Sequence, residues 1–305
     1  MMFQAMLLTI ITASTPLVIA AIGELVTERS GVLNLGVEGM MVMGAVGAFA
    51  AAHYTGSPLI GVVAGIATGA VFSLLFGFLT LTLVANQVAT GLALTLLGLG
   101  LSGQLGEKLV GAPGVQLMPI DIPVLSGLPF VGPVLFHQDM IFYLSIALVI
   151  GVHWFLFRSR RGLMLRAVGD SHASAHTLGL NVLRIRYLAV LFGGGCAGLA
   201  GAQLSLVYTP QWAENMTAGR GWIALALVVF ASWRPARVLA GGYLFGAVTI
   251  GQLYAQALGI GLPSQFLSAL PYAATIVVLI AISHNRRTTL INTPAALGKP
   301  FVPDR

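Results

Sequence analysis

Charge is what this sequence has least of. Asp, Glu, Lys and Arg make up 8% of its 305 residues while 57% are hydrophobic, and the mean hydropathy is +0.92. A soluble domain carries about 25% charged residues, so a soluble globular fold is excluded. Cysteine is almost absent: Cys196 stands alone inside an apolar run, which rules out an intrachain disulfide and leaves the redox compartment unread. A phosphate-binding loop is missing, since Gly298 and Lys299 are followed by Pro300 and have no upstream glycine loop. His172 and His176 have helical spacing but no Glu between them and no third ligand, so metal binding is not expected. No soluble catalytic domain fits between the apolar runs. The chain is therefore expected to be no enzyme, to hold no cofactor and to hydrolyse no ATP itself. The first run, Ala5 to Ile22, lacks a basic n-region and a cleavage site, and reads as a retained helix. The pI near 9.9 comes from basic residues in loops, without a soluble basic domain, which points to membrane orientation and not to nucleic acid.

What the sequence has in abundance is apolar runs long enough to cross about 30 Å of hydrocarbon as helices. Nine can be drawn: Ala5 to Ile22, Leu35 to Ala52, Leu59 to Val84, Val88 to Leu105, Met140 to Phe157, Tyr187 to Tyr208, Trp222 to Trp233, Val238 to Leu258 and Phe266 to Ser283. The alternation of a membrane barrel is absent. The reading is an all-α membrane protein, a polytopic bundle of about 8–10 transmembrane helices with broken or re-entrant segments. Residues 1–285 form the membrane domain, with a loop at 158–186, and 286–305 a short tail. The seventh run is short for a crossing, so it reads as a half-helix completed by Pro210 to Gly221 or as a re-entrant piece.

Arginine is distributed unevenly. Arg158, Arg160, Arg161, Arg166, Arg184 and Arg186 share one loop, Arg234 and Arg237 a turn, and Arg286, Arg287, Lys299 and Arg305 the tail. The positive-inside rule makes these regions cytoplasmic, the loop Glu107 to Asp139 external and, over nine crossings, the N-terminus external. Gly61, Gly65 and Gly69, Gly194 and Gly198, and Gly242 and Gly246 have the spacing of close helix contacts. An internal echo links "EGMMVMGAVGAFAAAHYTGSPLIGVVAGIATGAV" with "RGWIALALVVFASWRPARVLAGGYLFGAV": a charged residue and Gly, an apolar stretch, a Pro-containing turn and a glycine-rich helix. Such repeats are common in transport proteins.

Two polar stretches interrupt this pattern. "TERSGVLNLGVEGMM" places Glu28, Arg29, Asn34 and Glu38 between two spans. At the interface, Ser30 and Asn34 would simply cap the next helix. Dipping inward, the break would line a cavity, where Asn34 and Glu38 meet a polar solute. Asn86, Gln87 and Thr90 open another span similarly, and Asn215 and Arg220 precede the short seventh one. The second stretch, "RAVGDSHASAHTLGLNVLRIR", predicts a two-turn helix over Ser171 to Leu178, N-capped by Asp170 and ended by Gly179 in the left-handed conformation. It reads as a loop helix on anionic headgroups or as a docking element for a cytoplasmic partner.

The stretches "TERSGVLNLGVEGMMVMGA", "ANQVATGLALTLLGLGL", "RAVGDSHASAHTLGLNVLRIRYLAVLFGGGCAGLAGAQLSL" and "TAGRGWIALALVVFASWRP", in that order, resemble the permease subunits of ABC importers of the branched-chain amino acid and simple-sugar group, nearest to the nucleoside-import branch. The likeness runs from about Pro16 to Ser283. It implies inward transport of a nucleoside or related small polar solute across the cytoplasmic membrane, with branched-chain amino acids or simple sugars as alternatives. An ion-coupled carrier, with Glu38 as its buried acid, is the rival of another class. The implied partners are ABC ATPase subunits that use ATP and Mg, a second permease forming a heterodimer, and an extracytoplasmic solute-binding protein. Gly169, Asp170, Ala175 and Gly179 fall on the family's coupling motif, with departures at His172 and Ser174.

Overall fold

The computed structural model describes residues 2–121, 132–257 and 292–302, together with isolated positions between these stretches. Ten α-helices lie among the described residues: α1 (Met2–Arg29), α2 (Val37–Thr55), α3 (Pro58–Gly77), α4 (Gln87–Gly106), α5 (Met140–Arg158), α6 (Arg160–Asp170), α7 (His172–Thr177), α8 (Val182–Gln203), α9 (Arg220–Phe230) and α10 (Pro235–Ala257). Two-residue strands β1 (Ile120–Asp121) and β2 (His137–Gln138) pair antiparallel in the loop before α5. Six helices are long and apolar enough to cross a membrane. α2 has comparable length, 19 residues, but carries Glu38 and His53. The architecture is an all-α polytopic bundle. The run Phe266 to Ser283 lies outside the described residues except for isolated positions.

α2 lies against α3, α4, α8 and α9, and α8 packs in turn on α1 and α3. Lipid gives no hydrophobic reward for bringing helices together, so close backbone contact must do it. The glycines supply that contact. A Cβ on Gly44 of α2 would lie 2.6 Å from the Gly198 oxygen of α8, and one on Gly69 of α3 would lie 2.7 Å from the Gly198 Cα. On α10, Gly242 and Gly246 face Val18 and Ser14 of α1. All three glycine faces are thus spent within this chain.

Backbone groups freed in the apolar interior find side-chain partners. Pro16 has no N–H to give the Thr12 carbonyl, and Gln203 of α8 donates to that carbonyl instead (3.1 Å). Ser205 donates to the Ala45 carbonyl at 2.9 Å, and Thr27 to that of Ala189 at 3.2 Å.

The two ends of the bundle are distinct. At one, Arg29 donates to the Trp233 carbonyl and the Trp233 indole to Glu28, so the C-termini of α1 and α9 meet beside α6 and α7. At the other, Leu117 donates to the Leu206 carbonyl and Val110 bridges to Trp212. The chain leaves that second end after Tyr208 as irregular backbone and enters α9 inside the bundle. α9 has 11 residues, about 16 Å of rise, half of a hydrocarbon core. The short seventh run is therefore a half-helix completed by the segment before it.

Candidate functional site

The break between α1 and α2 is held by neighbouring side chains. α1 ends through Ser30 and Gly31, which donate to the carbonyls of Thr27 and Glu28 at 3.0 and 2.8 Å. The following amides would be orphaned in lipid. Leu33 donates to Gln87 Oε1 of α4 (2.8 Å) and Asn34 to Glu24 Oε1 of α1 (3.2 Å). The Leu35 carbonyl accepts from Thr95 of α4 (3.1 Å). Asn34 is fully buried; its Oδ1 accepts from Gly36 N–H and its Nδ2 donates to Met40 Sδ. Gly36, not Ser30 or Asn34, occupies the N-cap position of α2.

Glu38, one residue into α2, reaches the start of α9. One carboxylate oxygen accepts from the Thr217 hydroxyl (2.6 Å) and Gly219 N–H (2.8 Å), and the other from Gly221 N–H (2.6 Å). A helix N-terminus leaves its first amides unpaired and attracts negative charge, and Glu38 satisfies both demands. Two helices thus begin inside the bundle with their N-termini joined through one carboxylate. They are the first helices of the two units in the sequence echo, and in each unit the second helix begins at a proline, Pro58 or Pro235.

The polar residues singled out in the sequence separate into groups. Asn34 and Gln87 meet at the break, through Leu33 and the backbone beside it. Glu38 meets the Arg220 segment, where Arg220 donates to the carbonyls of Met216 and Thr217 and lies over the Tyr208 ring, 5.2 Å from its centroid. Asn86 caps α4 by accepting from Ala89 N–H, and Thr90 follows one turn on. Asn215, with a positive φ of 54°, is exposed and joins neither group. Sequence reasoning missed Glu24, Thr217 and Trp233 as polar anchors; the i, i+4 spacing of Glu24 and Glu28 on an otherwise apolar helix was the available signal. A groove of about 610 Å³ between α1, α5, α6 and α8 is lined mainly by apolar side chains such as Leu148, Phe155 and Phe192, and none of these polar residues reaches it.

The loop between α5 and α8 contains two helices where the sequence suggested one. Ser159 caps α6 by accepting from Gly162 N–H. Asp170 closes α6 and does not cap α7; Ser171 does, accepting from Ser174 N–H at 3.3 Å. The reason is local: Ser171 takes the extended conformation (φ −151°, ψ 96°) that an N-cap requires, while Asp170 is still helical. α7 is accordingly His172–Thr177, shorter than the predicted Ser171 to Leu178. Gly179 ends it as expected, at φ +82°. Gly179 N–H donates to the His176 carbonyl and Leu180 N–H to that of Ala175, the paired bonds of a left-handed helix stop. Leu178 is 80% exposed at the tip, while Ala175 on the opposite face is 2% exposed against Val168 and Val182. Gly169 packs directly on the Arg29 carbonyl at the end of α1. Arg186 of α8, fully buried, donates to the Ser30 carbonyl (3.2 Å) and lies 3.3 Å from His172 Nδ1. Burial first, then Arg186 and Lys299, holds the His172 imidazole below its ordinary pKa. α7 is thus an exposed helix whose root is joined to the α1–α2 break.

The family model described as branched-chain amino acid transport system / permease component matches residues 6–285. A putative glucose ABC transporter permease protein from Haloferax volcanii is 43% identical over 314 aligned positions, covering 95% of each chain. A nucleoside ABC transporter permease protein from Lactococcus lactis is 32% identical over 289 positions, covering 90% of this chain and 91% of that one. A guanosine ABC transporter permease protein from Bacillus subtilis is 30% identical over 313 positions, covering 95% and 93%.

Proposed function

Because the chain belongs to the family of permease components of branched-chain amino acid transport systems, we propose that it supplies half of the membrane pathway of an ATP-binding cassette importer moving a nucleoside or related small polar solute inward. The observation that carries this reading is the connection between an exposed docking helix and a broken membrane helix: Arg186 bonds the Ser30 carbonyl and sits against His172. In this reading α7 is the coupling helix, with Gly169, Asp170, Ala175 and Gly179 shaping it, and it docks on a partner ATPase. Movement of α7 passes through Arg186 and Gly169 to residues 30–36 and then, through Glu38, to α9. The polar solute passes near Asn34, Gln87, Thr90, Asn215 and Arg220, with Asn86 and Glu38 holding the helix starts that frame the path. ATP and Mg are used by two ATPase subunits. A second permease completes the pathway as a heterodimer, and a solute-binding protein delivers the cargo. The arginine-rich end, with the tail, faces the cytoplasm.

The 43% identity to a putative glucose permease favours a second reading, a simple sugar, whose hydroxyls need the same donors and acceptors as a ribose. An ion-coupled carrier fits less well, since Glu38, its buried acid, accepts with one oxygen from Thr217 just before α9 and with the other from Gly221 in its first turn. The test is uptake into vesicles containing the complete complex, competed by nucleosides, simple sugars and branched-chain amino acids in turn. Competition by nucleosides supports the first reading and competition by sugars alone the second; competition by neither rejects both.

A further inference from the structure

The described tail, residues 292–302, returns to the α7 end of the bundle and is stitched to three elements. Ala296 N–H donates to the Gly169 carbonyl at the end of α6 (2.9 Å), and Gly298 N–H to the Gly31 carbonyl in the α1–α2 break (3.1 Å). The Lys299 carbonyl accepts from Arg186 of α8 (3.3 Å). Phe301 then inserts beside α7, its ring edge-on to both His172 and His176 with centroids 5.3 and 5.4 Å apart. It is 8% exposed and closes a small apolar cluster with Val168, Ala175 and Val182.

α7 needs such support. Two turns are too short to be a stable helix alone, and isolated helices below about 12 residues are marginal in water. Its own sequence supplies one serine cap, one left-handed stop and a single buried side chain, Ala175. A helix held only by its ends would absorb a push by tilting. The other buried side chains of its cluster come from α6, α8 and the tail, and the tail contributes the largest.

We propose that residues 292–302 form a strap that positions α7, with Phe301 as its pin, so that displacement of α7 is delivered to the α1–α2 break at Gly31 and Ser30. Phe301 is a positioning residue, and its role in transport rests on the importer reading above. The strap joins in one segment the two ends of the relay, Phe301 on the docking helix and Gly298 on the break. Arg186 sits between them, bonded to the break and to the tail and facing His172.

The test has two arms. In the first, Ala175→Cys is introduced and labelled with a maleimide in inside-out vesicles bearing the full chain; Cys196, 5% exposed between α1 and α8, serves as the silent background. Adding Phe301→Ala should raise the labelling rate of position 175 by roughly tenfold, because the cover over it is gone. Phe301→Tyr should restore slow labelling, and Val302→Ala, at a position 60% exposed, should leave it unchanged. In the second arm, the reconstituted complex is assayed for ATP hydrolysed per solute transported. Phe301→Ala should raise that ratio severalfold with the complex still assembled, and Phe301→Tyr should restore it. Equal labelling with and without Phe301 overturns the strap, as does faster labelling with an unchanged ratio. If the wild-type complex shows no ATP-driven uptake, the importer reading fails instead, and the labelling arm alone decides whether the tail positions α7.

Discussion

Removing the Glu38 carboxylate should release α9 from α2. In Glu38→Ala, the Gly219 and Gly221 amides lose an acceptor in a site where Glu38 is 2% exposed, whereas Thr217 can turn its hydroxyl elsewhere. Each buried orphan donor costs about 1–3 kcal/mol, so the two together cost about 4 kcal/mol. Glu38→Gln keeps one carbonyl oxygen for Thr217 and Gly219 but turns an NH2 toward Gly221 N–H, a loss of about 2 kcal/mol. At the low end of 2–4 °C per kcal/mol, the thermal midpoint in detergent should fall by roughly 8 °C for Ala and 4 °C for Gln. Transport should fall in the same order. The measurement is a thermal unfolding series on purified wild type, Gln and Ala variants, with uptake measured on the same preparations. Midpoints indistinguishable among the three would refute the account of Glu38 as the tie between the two helix starts.

Gly198→Val should prevent the α2–α3–α8 contact, because its side chain would meet Gly65 and Gly69 backbone, at a cost of more than about 3 kcal/mol; Gly195→Ala, whose Cβ meets only Ile66 at 3.6 Å, should leave purification yield and midpoint unchanged. Cysteines at Leu178 and Met118, 80% and 72% exposed, should react with impermeant maleimide from the cytoplasmic and external sides respectively, and the reverse pattern would invert the orientation. His172 faces Arg186 of α8 and Lys299 and Phe301 of the tail, and its pKa is held down by burial and then by the two charges; the neutral ring's contribution to holding α7 in place is present above about pH 6.5 and lost as pH falls below it. Labelling of Ala175→Cys, taken relative to the exposed Leu178→Cys so that the common loss of thiolate cancels, should therefore rise by roughly severalfold between pH 7.5 and 5.5, and His172→Gln should flatten that ratio. Native mass in detergent should show one copy of this chain with one different permease, and a transport-competent complex with two copies and no second permease would reject the heterodimer.

The crossing helices were legible because apolar length decides them: α5 lies at Met140–Arg158 against an expected Met140 to Phe157. The break after Arg29 was legible from its polar residues, and the glycine spacing announced close packing. Partners across the fold were not. Nothing adjacent to Glu38 in sequence indicates Gly221, 183 positions away. Pro16 looks like a kink until Gln203 is seen to complete it. The cap of α7 was misplaced by one residue because Asp170 and Ser171 are both good caps and only the backbone angles separate them. The tail carries few apolar residues and reads as an appendage, yet Phe301 finds its place only once α6, α7 and α8 are folded together.

The central claim is that force from ATP enters through α7 and opens a path framed by α2 and α9. The direct measurement is solute uptake into proteoliposomes holding this chain, its partner permease, ATPase subunits and binding protein, with ATP on the α7 side only and no ion gradient. The account predicts uptake that requires ATP and disappears when Gly179→Pro deforms the end of α7 in an otherwise assembled complex. Uptake by the chain without ATP, driven by a proton or sodium gradient, would contradict it.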